Sequence, residues 1–220
     1  LALESHKRAN AILPVIELPA PSRVVLPLDP GTGESAEPVV AVGDVVPRGA
    51  LIGRATSVFC ANVHASIAGR IIAVERIEAA VPNGVCLCVT IAAAAAPAAA
   101  HDQWPGAVDH ARMNAQQLCD ALHEAGIAGL GGAGFPTATK LAAGRQRSVH
   151  TLLLNGAECE PWITCDDALM QTAADDVVFG AALLRRACGA TSCVIAIEDD
   201  KPAAIAAMTH AIDRAGDAAL

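Results

Sequence analysis

Between residues 24 and 91 the apolar positions fall in short β-branched runs, at 24–28, 38–42, 50–52, 63–67, 70–74 and 85–91, separated by turn residues. Regular spacing of short runs between turn signals predicts a small all-β unit. Residues 92–102 then read as an Ala/Pro-rich linker. From 103 onward the apolar spacing lengthens to that of helices alternating with strands. A helix is predicted over 113–125, with Met113, Gln117, Leu118, Leu122 and Ala125 near one face. A shorter helix runs over 136–143 and stops at Gly144, followed by a strand at 151–154. A long helix over 166–188 ends at Gly189, a second strand covers 193–197, and Lys201-Pro202 opens a last helix reaching about 214. Strand, crossover helix and strand predict a right-handed parallel unit buried on both faces. Two strands are few for a sheet of this class. Together with a start at Leu1 rather than Met and an end within a helical pattern, this gives the expectation of a fragment. The expected organisation is an N-terminal extension at 1–23, a β unit at 24–91, the linker at 92–102 and an incomplete α/β domain at 103–220.

Composition narrows the picture. The chain is 53% hydrophobic but 2% aromatic, so its cores are built from many small side chains. A net charge of −8 argues against a nucleic-acid partner, since phosphate binding needs clustered Lys and Arg. Residues 79–100 carry no charge, yet Pro82, Asn83-Gly84 and Pro97 break the stretch, and alanine offers too little apolar area to hold it in lipid. No transmembrane segment is expected. None of the eight cysteines has C-x-x-C spacing, so neither zinc nor an iron–sulfur cluster is predicted within this chain, and free thiols are the expectation. Cys159 and Cys165 flank the candidate site.

Two segments carry the chemistry. In Gly126-Ile127-Ala128-Gly129-Leu130-Gly131-Gly132-Ala133-Gly134-Phe135-Pro136, five glycines in nine positions leave backbone N–H groups bare for close approach to a phosphate or flat ring. Pro136 is suited to the first position of a following helix, whose N-terminus favours anions. The segment is neither a dinucleotide fingerprint, because a helix precedes it, nor a Walker loop, because no Gly-Lys-Ser/Thr follows. The second segment, Asn155-Gly156-Ala157-Glu158-Cys159-Glu160-Pro161, follows a predicted strand, where an open α/β sheet places ligand groups.

Taken together, the two segments resemble the C subunit of the Rnf electron-transport complex, itself similar to the flavin-binding subunit of respiratory complex I. The spelling from Asn155 to Pro161, continued by Ile163-Thr164-Cys165-Asp166-Asp167-Ala168-Leu169-Met170, favours the Rnf branch. The resemblance covers residues of about 4 to 210. It implies an α+β or α/β two-domain chain, a small all-β barrel-sandwich hybrid followed by a truncated Rossmann-like α/β domain that binds FMN and NADH. It places Gly129, Gly131, Gly132 and Gly134 against FMN, with Lys140 and Asn155 near its phosphate and sugar chain. Glu158 matches a position beside the flavin ring, and Glu160 and Phe135 match positions that meet the nicotinamide nucleotide. Leu130 and Ala157 replace an Arg and an Asp of the complex I pattern, as is ordinary for the Rnf branch, and Ala143 replaces a second stacking Phe.

The β unit resembles biotinyl and lipoyl carrier domains, with Gly43-Asp44 and Gly49 making one turn and Gly69 a later one. The interval 54–63, where a carrier lysine would sit, has none, so no swinging arm is expected. His64 reads as a packed or capping side chain, and Asp166 and Asp167 as helix-start residues rather than a catalytic pair. The implied activity is electron exchange between NADH and ferredoxin through FMN, with no catalytic acid or base. In the family, [4Fe–4S] clusters lie in a region beyond this chain, and partner subunits translocate ions. The implied location is peripheral, on the cytoplasmic face of the bacterial inner membrane. The alternative from another class is a non-catalytic scaffold that docks to a membrane redox complex.

Overall fold

The structure is a computed structural model that describes residues 15–29, 32–78, 84–94, 109–130, 134–217 and 219–220. Contacts divide the chain into two compact units, one comprising Pro19–Ala143 and the other containing Gly144–Leu220. The division falls inside a helix rather than in the Ala/Pro-rich segment, so the glycine-rich loop belongs to the same unit as the β strands.

In the first unit, strands β1 (Arg23–Pro27), β7 (Val85–Ala93), β6 (Gly69–Glu78) and β3 (Val45–Val46) form one antiparallel sheet in that order. Strands β2 (Glu37–Pro38), β4 (Leu51–Arg54) and β5 (Val63–His64) form a second. Leu28, Val46, Ile52, Ala65, Ile71, Val89 and Ile91 close one core between them, as alternating apolar runs require. Several predicted strands shorten: that at 38–42 ends at Pro38, with Val39 N still bonding Ile52 O, and that at 63–67 ends at His64, with Ala65 N still bonding Ala50 O. Gly69 does not turn the chain. It is the first residue of β6, opposite Val46 and Ala93, where a side chain would overlap the Ala92 carbonyl oxygen. Helix α1 (Ala115–Glu124) follows, opened by a capping box in which Asn114 and Gln117 bond each other's backbone N–H groups. Helix α2 (Thr137–Gln146) runs through Gly144 instead of stopping there.

The second unit contains β8 (Thr151–Asn155) paired in parallel with β9 (Ser192–Ala196), as predicted. The single helix expected over 166–188 is two, α3 (Cys165–Thr172) and α4 (Ala174–Cys188), and α4 ends at left-handed Gly189. Helix α5 spans Pro202–Ala215. Met170, Ala174, Val178, Ala204, Met208 and Ala211 bind the three helices into one core that includes Ile195 of β9. Burial on both sheet faces, however, is not observed. Leu153 and Val194 are 62% and 50% exposed, because the residues that alternate with them are the ones turned inward. No helix among the described residues is long and apolar enough to cross a membrane.

Candidate functional site

The glycine-rich loop is anchored at both ends. Gly126, at positive φ, ends α1 and lies against the barrel, where Asn62 accepts a hydrogen bond from Ala55 N and donates one to the Glu124 carbonyl at 3.3 Å. Ala128 and Pro136 form an antiparallel bridge, flanked by Gly129 N donating to Phe135 O and Thr137 N donating to Ile127 O, each at 3.0 Å. This neck fixes where the loop leaves and re-enters. Leu130 beyond it is fully exposed, and Gly134 returns with φ of +61°. Gly129, Gly134 and Phe135 are therefore held together at the neck. The predicted contacts Gly131 and Gly132 lie outside the described residues. Pro136 stands just before α2 and accepts from Lys140 N, and Lys140 itself is exposed one turn into the helix.

The hairpin between β4 and β5 supports this loop. Phe59 meets Phe135 edge to face with centroids 6.1 Å apart, and the Thr139 hydroxyl donates to the Val58 carbonyl. The tip that carries a lysine in carrier domains is here a buttress for the loop. Burial lowers the pKa of His64, opposed by the nearby Glu124 carboxylate, which fits a packed side chain.

The acidic segment is described within the second unit. Gly156 N bonds Ala196 O at 2.8 Å, extending the parallel pair, and Asn155 Oδ1 accepts from Ala157 N. Glu158 is 3% exposed. Its Oε1 accepts from Asp166 N at 2.7 Å at the start of α3, while its Oε2 is buried without a hydrogen-bond partner. Thus Glu158, not the aspartates, caps this helix. Asp167 stands in the first turn of α3, as expected, and in addition is buried, accepts from Gln171 Nε2 and lies 3.6 Å from the Lys201 ammonium. Glu160 and Asn155 are exposed, and Trp162 is held at φ of +68°. A bulky residue in that region is strained, and such strain persists only where the surroundings impose it. Sequence reasoning passes over Lys201 and Asn62. A signal exists for Lys201, a rare lysine at the C-terminal end of a predicted strand; for Asn62 there is none.

All eight cysteines are free thiols, six of them buried, with Cys159 and Cys165 exposed. Among the described residues, Glu158, Cys165 and Asp166 bring one ligand atom each within 4.8 Å of the others. Lys201 Nζ lies 4.0 Å from Glu158 Oε2 and disfavours a cation there.

Residues 122–219, which hold most of the glycine loop's flanking structure and the acidic segment, match the family model described as the Nuo51 FMN-binding domain. Residues 1–95 match that of the RnfC barrel sandwich hybrid domain. The class is therefore a barrel-sandwich module joined to a flavin-binding domain of the Nuo51 type. Over 94% of its length the chain is 41% identical to the C subunit of the ion-translocating oxidoreductase complex of Serratia proteamaculans. It is 37% identical, again over 94% of its length, to the same subunit of Rhodobacter capsulatus. It covers 29% and 40% of those two proteins, respectively, and so spans well under half of either. The chain belongs to the family of Rnf complex C subunits. Two solved structures of an NAD+-reducing [NiFe]-hydrogenase, H2-reduced and air-oxidized, are 28% identical over 46% and 47% of this chain and 19% of theirs, with TM-scores of 0.40 and 0.41.

Proposed function

We propose that this chain is the flavin-bearing part of a subunit that exchanges electrons between NADH and ferredoxin, in a complex whose other subunits couple the exchange to ion translocation. The observation that carries the reading is the glycine loop, clamped at its neck with a glycine-rich tip beyond, inside a segment that matches an FMN-binding domain. The donor chemistry fits FMN: Glu158 Oε2, buried without a hydrogen-bond partner, can accept from a flavin N–H or ribityl hydroxyl.

Held by these residues, FMN would supply the chemistry that links two-electron hydride exchange with NADH to one-electron transfer. The chain's own residues do the rest. Gly129, Gly131, Gly132 and Gly134 let the loop backbone approach the flavin, and Lys140 and Asn155 serve its phosphate and sugar chain. Phe135, backed by Phe59, offers a stacking face to the nicotinamide nucleotide, and exposed Glu160 meets it. The α/β part belongs on this reading to a Rossmann-like FMN/NADH domain. The [4Fe–4S] clusters that this reading calls for would be held outside this chain. The protein would sit peripherally on the cytoplasmic face of the bacterial inner membrane.

The test is the Glu160→Gln variant of the complete subunit. FMN content should be unchanged, while NADH-dependent reduction of an artificial acceptor changes by about 1–3 kcal/mol in kcat/KM, the scale of a hydrogen bond to a charged group. Loss of flavin with unaltered NADH kinetics in the remaining holoprotein would refute the assignment of Glu160 to the nucleotide.

A further inference from the structure

Lys201 ends the turn that leads from β9 into α5, and its side chain does not reach solvent: 7% of it is exposed. Its backbone is fixed, with N donating to Glu198 O and its carbonyl accepting from Ile205 N in the first turn of α5. The ammonium lies 3.6 Å from Asp167 Oδ2 and 4.0 Å from Glu158 Oε2, and these carboxylates are 5% and 2% exposed. One buried cation thus faces two buried anions. A charge is kept out of water at such cost only where partners compensate it.

The placement is specific. Glu158 follows β8, Lys201 follows β9, and these parallel strands are paired along their whole length, so both residues sit at the carboxyl edge where open α/β sheets bind ligands. Asp167 reaches the same ammonium from α3. The two oxygens of Glu158 are divided: Oε1 is taken by Asp166 N, and Oε2 faces Lys201 without a hydrogen bond.

We propose that Lys201 is the positioning residue of the flavin site, holding Glu158 by an ion pair that leaves Oε2 its hydrogen-bonding capacity for the cofactor and, balanced by Asp167, setting the local charge the flavin experiences. This rests on the reading that Glu158 stands beside FMN. Removing the ammonium leaves two uncompensated carboxylates, which disfavour adding electrons to the flavin. Removing the Asp167 charge does the opposite. A purely structural tether would loosen in both cases and would not produce shifts of opposite sign.

The test uses the complete subunit in its native complex, with FMN content and flavin midpoint potential measured for wild type, Lys201→Gln, Lys201→Arg and Asp167→Asn. Lys201→Gln should move the potential negative by about 30 mV or more, a tenfold change for a two-electron couple. Asp167→Asn should move it positive, and Lys201→Arg should stay near wild type. If Lys201→Gln fails to fold, Asp167→Asn and Lys201→Arg carry the test, and a zero or negative shift in Asp167→Asn overturns the proposal. Flavin-loaded wild type with unshifted variants refutes the Lys201 role alone. Wild type without FMN refutes the flavin reading, and the Lys201 role with it.

Discussion

Gly126 joins α1 to the glycine loop, and its replacement by alanine tests how that loop is held. Its φ is +67°, and a methyl there would overlap the Asn62 carbonyl oxygen while lying 3.1 Å from the Asn62 carbonyl carbon and 3.3 Å from His64 Nδ1. The left-handed conformation alone costs an alanine about 1–2 kcal/mol. Relief of the overlap requires α1 and the barrel to separate. That breaks the bond from Asn62 Nδ2 to Glu124 O and leaves a largely buried amide unpaired, for a further cost of about 1–3 kcal/mol. The sum is about 2–5 kcal/mol, a large share of a typical domain stability of about 5–15 kcal/mol. Gly84→Ala is the control, since Gly84 has φ of +70° with nothing within 4 Å of the added carbon. Urea unfolding followed by far-UV circular dichroism gives both values. Gly126→Ala should be the more destabilised by about 1–3 kcal/mol. Equal destabilisation would show that the loop is not clamped against Asn62.

The lowered pKa of His64 means that the unfolded chain binds a proton more readily there, so the folded state loses stability as pH falls below about 6.5. Urea midpoints compared between pH 7.5 and pH 5.5, both about one unit from that value, should fall more for wild type than for His64→Gln, and an equal fall would contradict this. Brief alkylation of the native protein followed by mass mapping should mark Cys159 and Cys165 first. Cys88, whose pKa burial and its bond with Cys86 push up to about 12, should be spared, and early labelling there would refute the barrel core as described. Phe59→Ala should raise the KM for NADH and leave FMN content intact, because it removes the ring against which Phe135 rests; an unchanged KM would show that the pair plays no part in nucleotide binding.

Much of the fold is legible in periodicity. The parallel strands at 151 and 192, the left-handed end at Gly189 and the opening of α5 at Pro202 each have a local signal that tertiary contacts reinforce. The boundaries that differ from expectation have local causes. Gly144 reads as a stop, but a helix tolerates an interior glycine for about 1 kcal/mol, and here it packs beside Val149 and Cys188. The break between α3 and α4 contains neither Gly nor Pro. Thr172 bonds back to the Ala168 carbonyl, a geometry that bends helices, and Asp175-Asp176 supply fresh acids for a new N-terminus. That second acidic pair is a readable sign of a second start. The candidate site is legible as motifs, while its supports are not, because Asn62, Phe59 and Lys201 act across gaps in sequence that only folding closes.

The central claim is that the clamped glycine loop belongs to a flavin site, and flavin stoichiometry of the complete subunit tests it most directly. Wild type should carry FMN with an absorbance band near about 450 nm, and Gly132→Val should lose it, since a branched side chain denies the cofactor the close backbone approach a glycine permits. A wild-type protein that takes up no FMN, or a Gly132→Val variant that keeps it in full, would contradict the account.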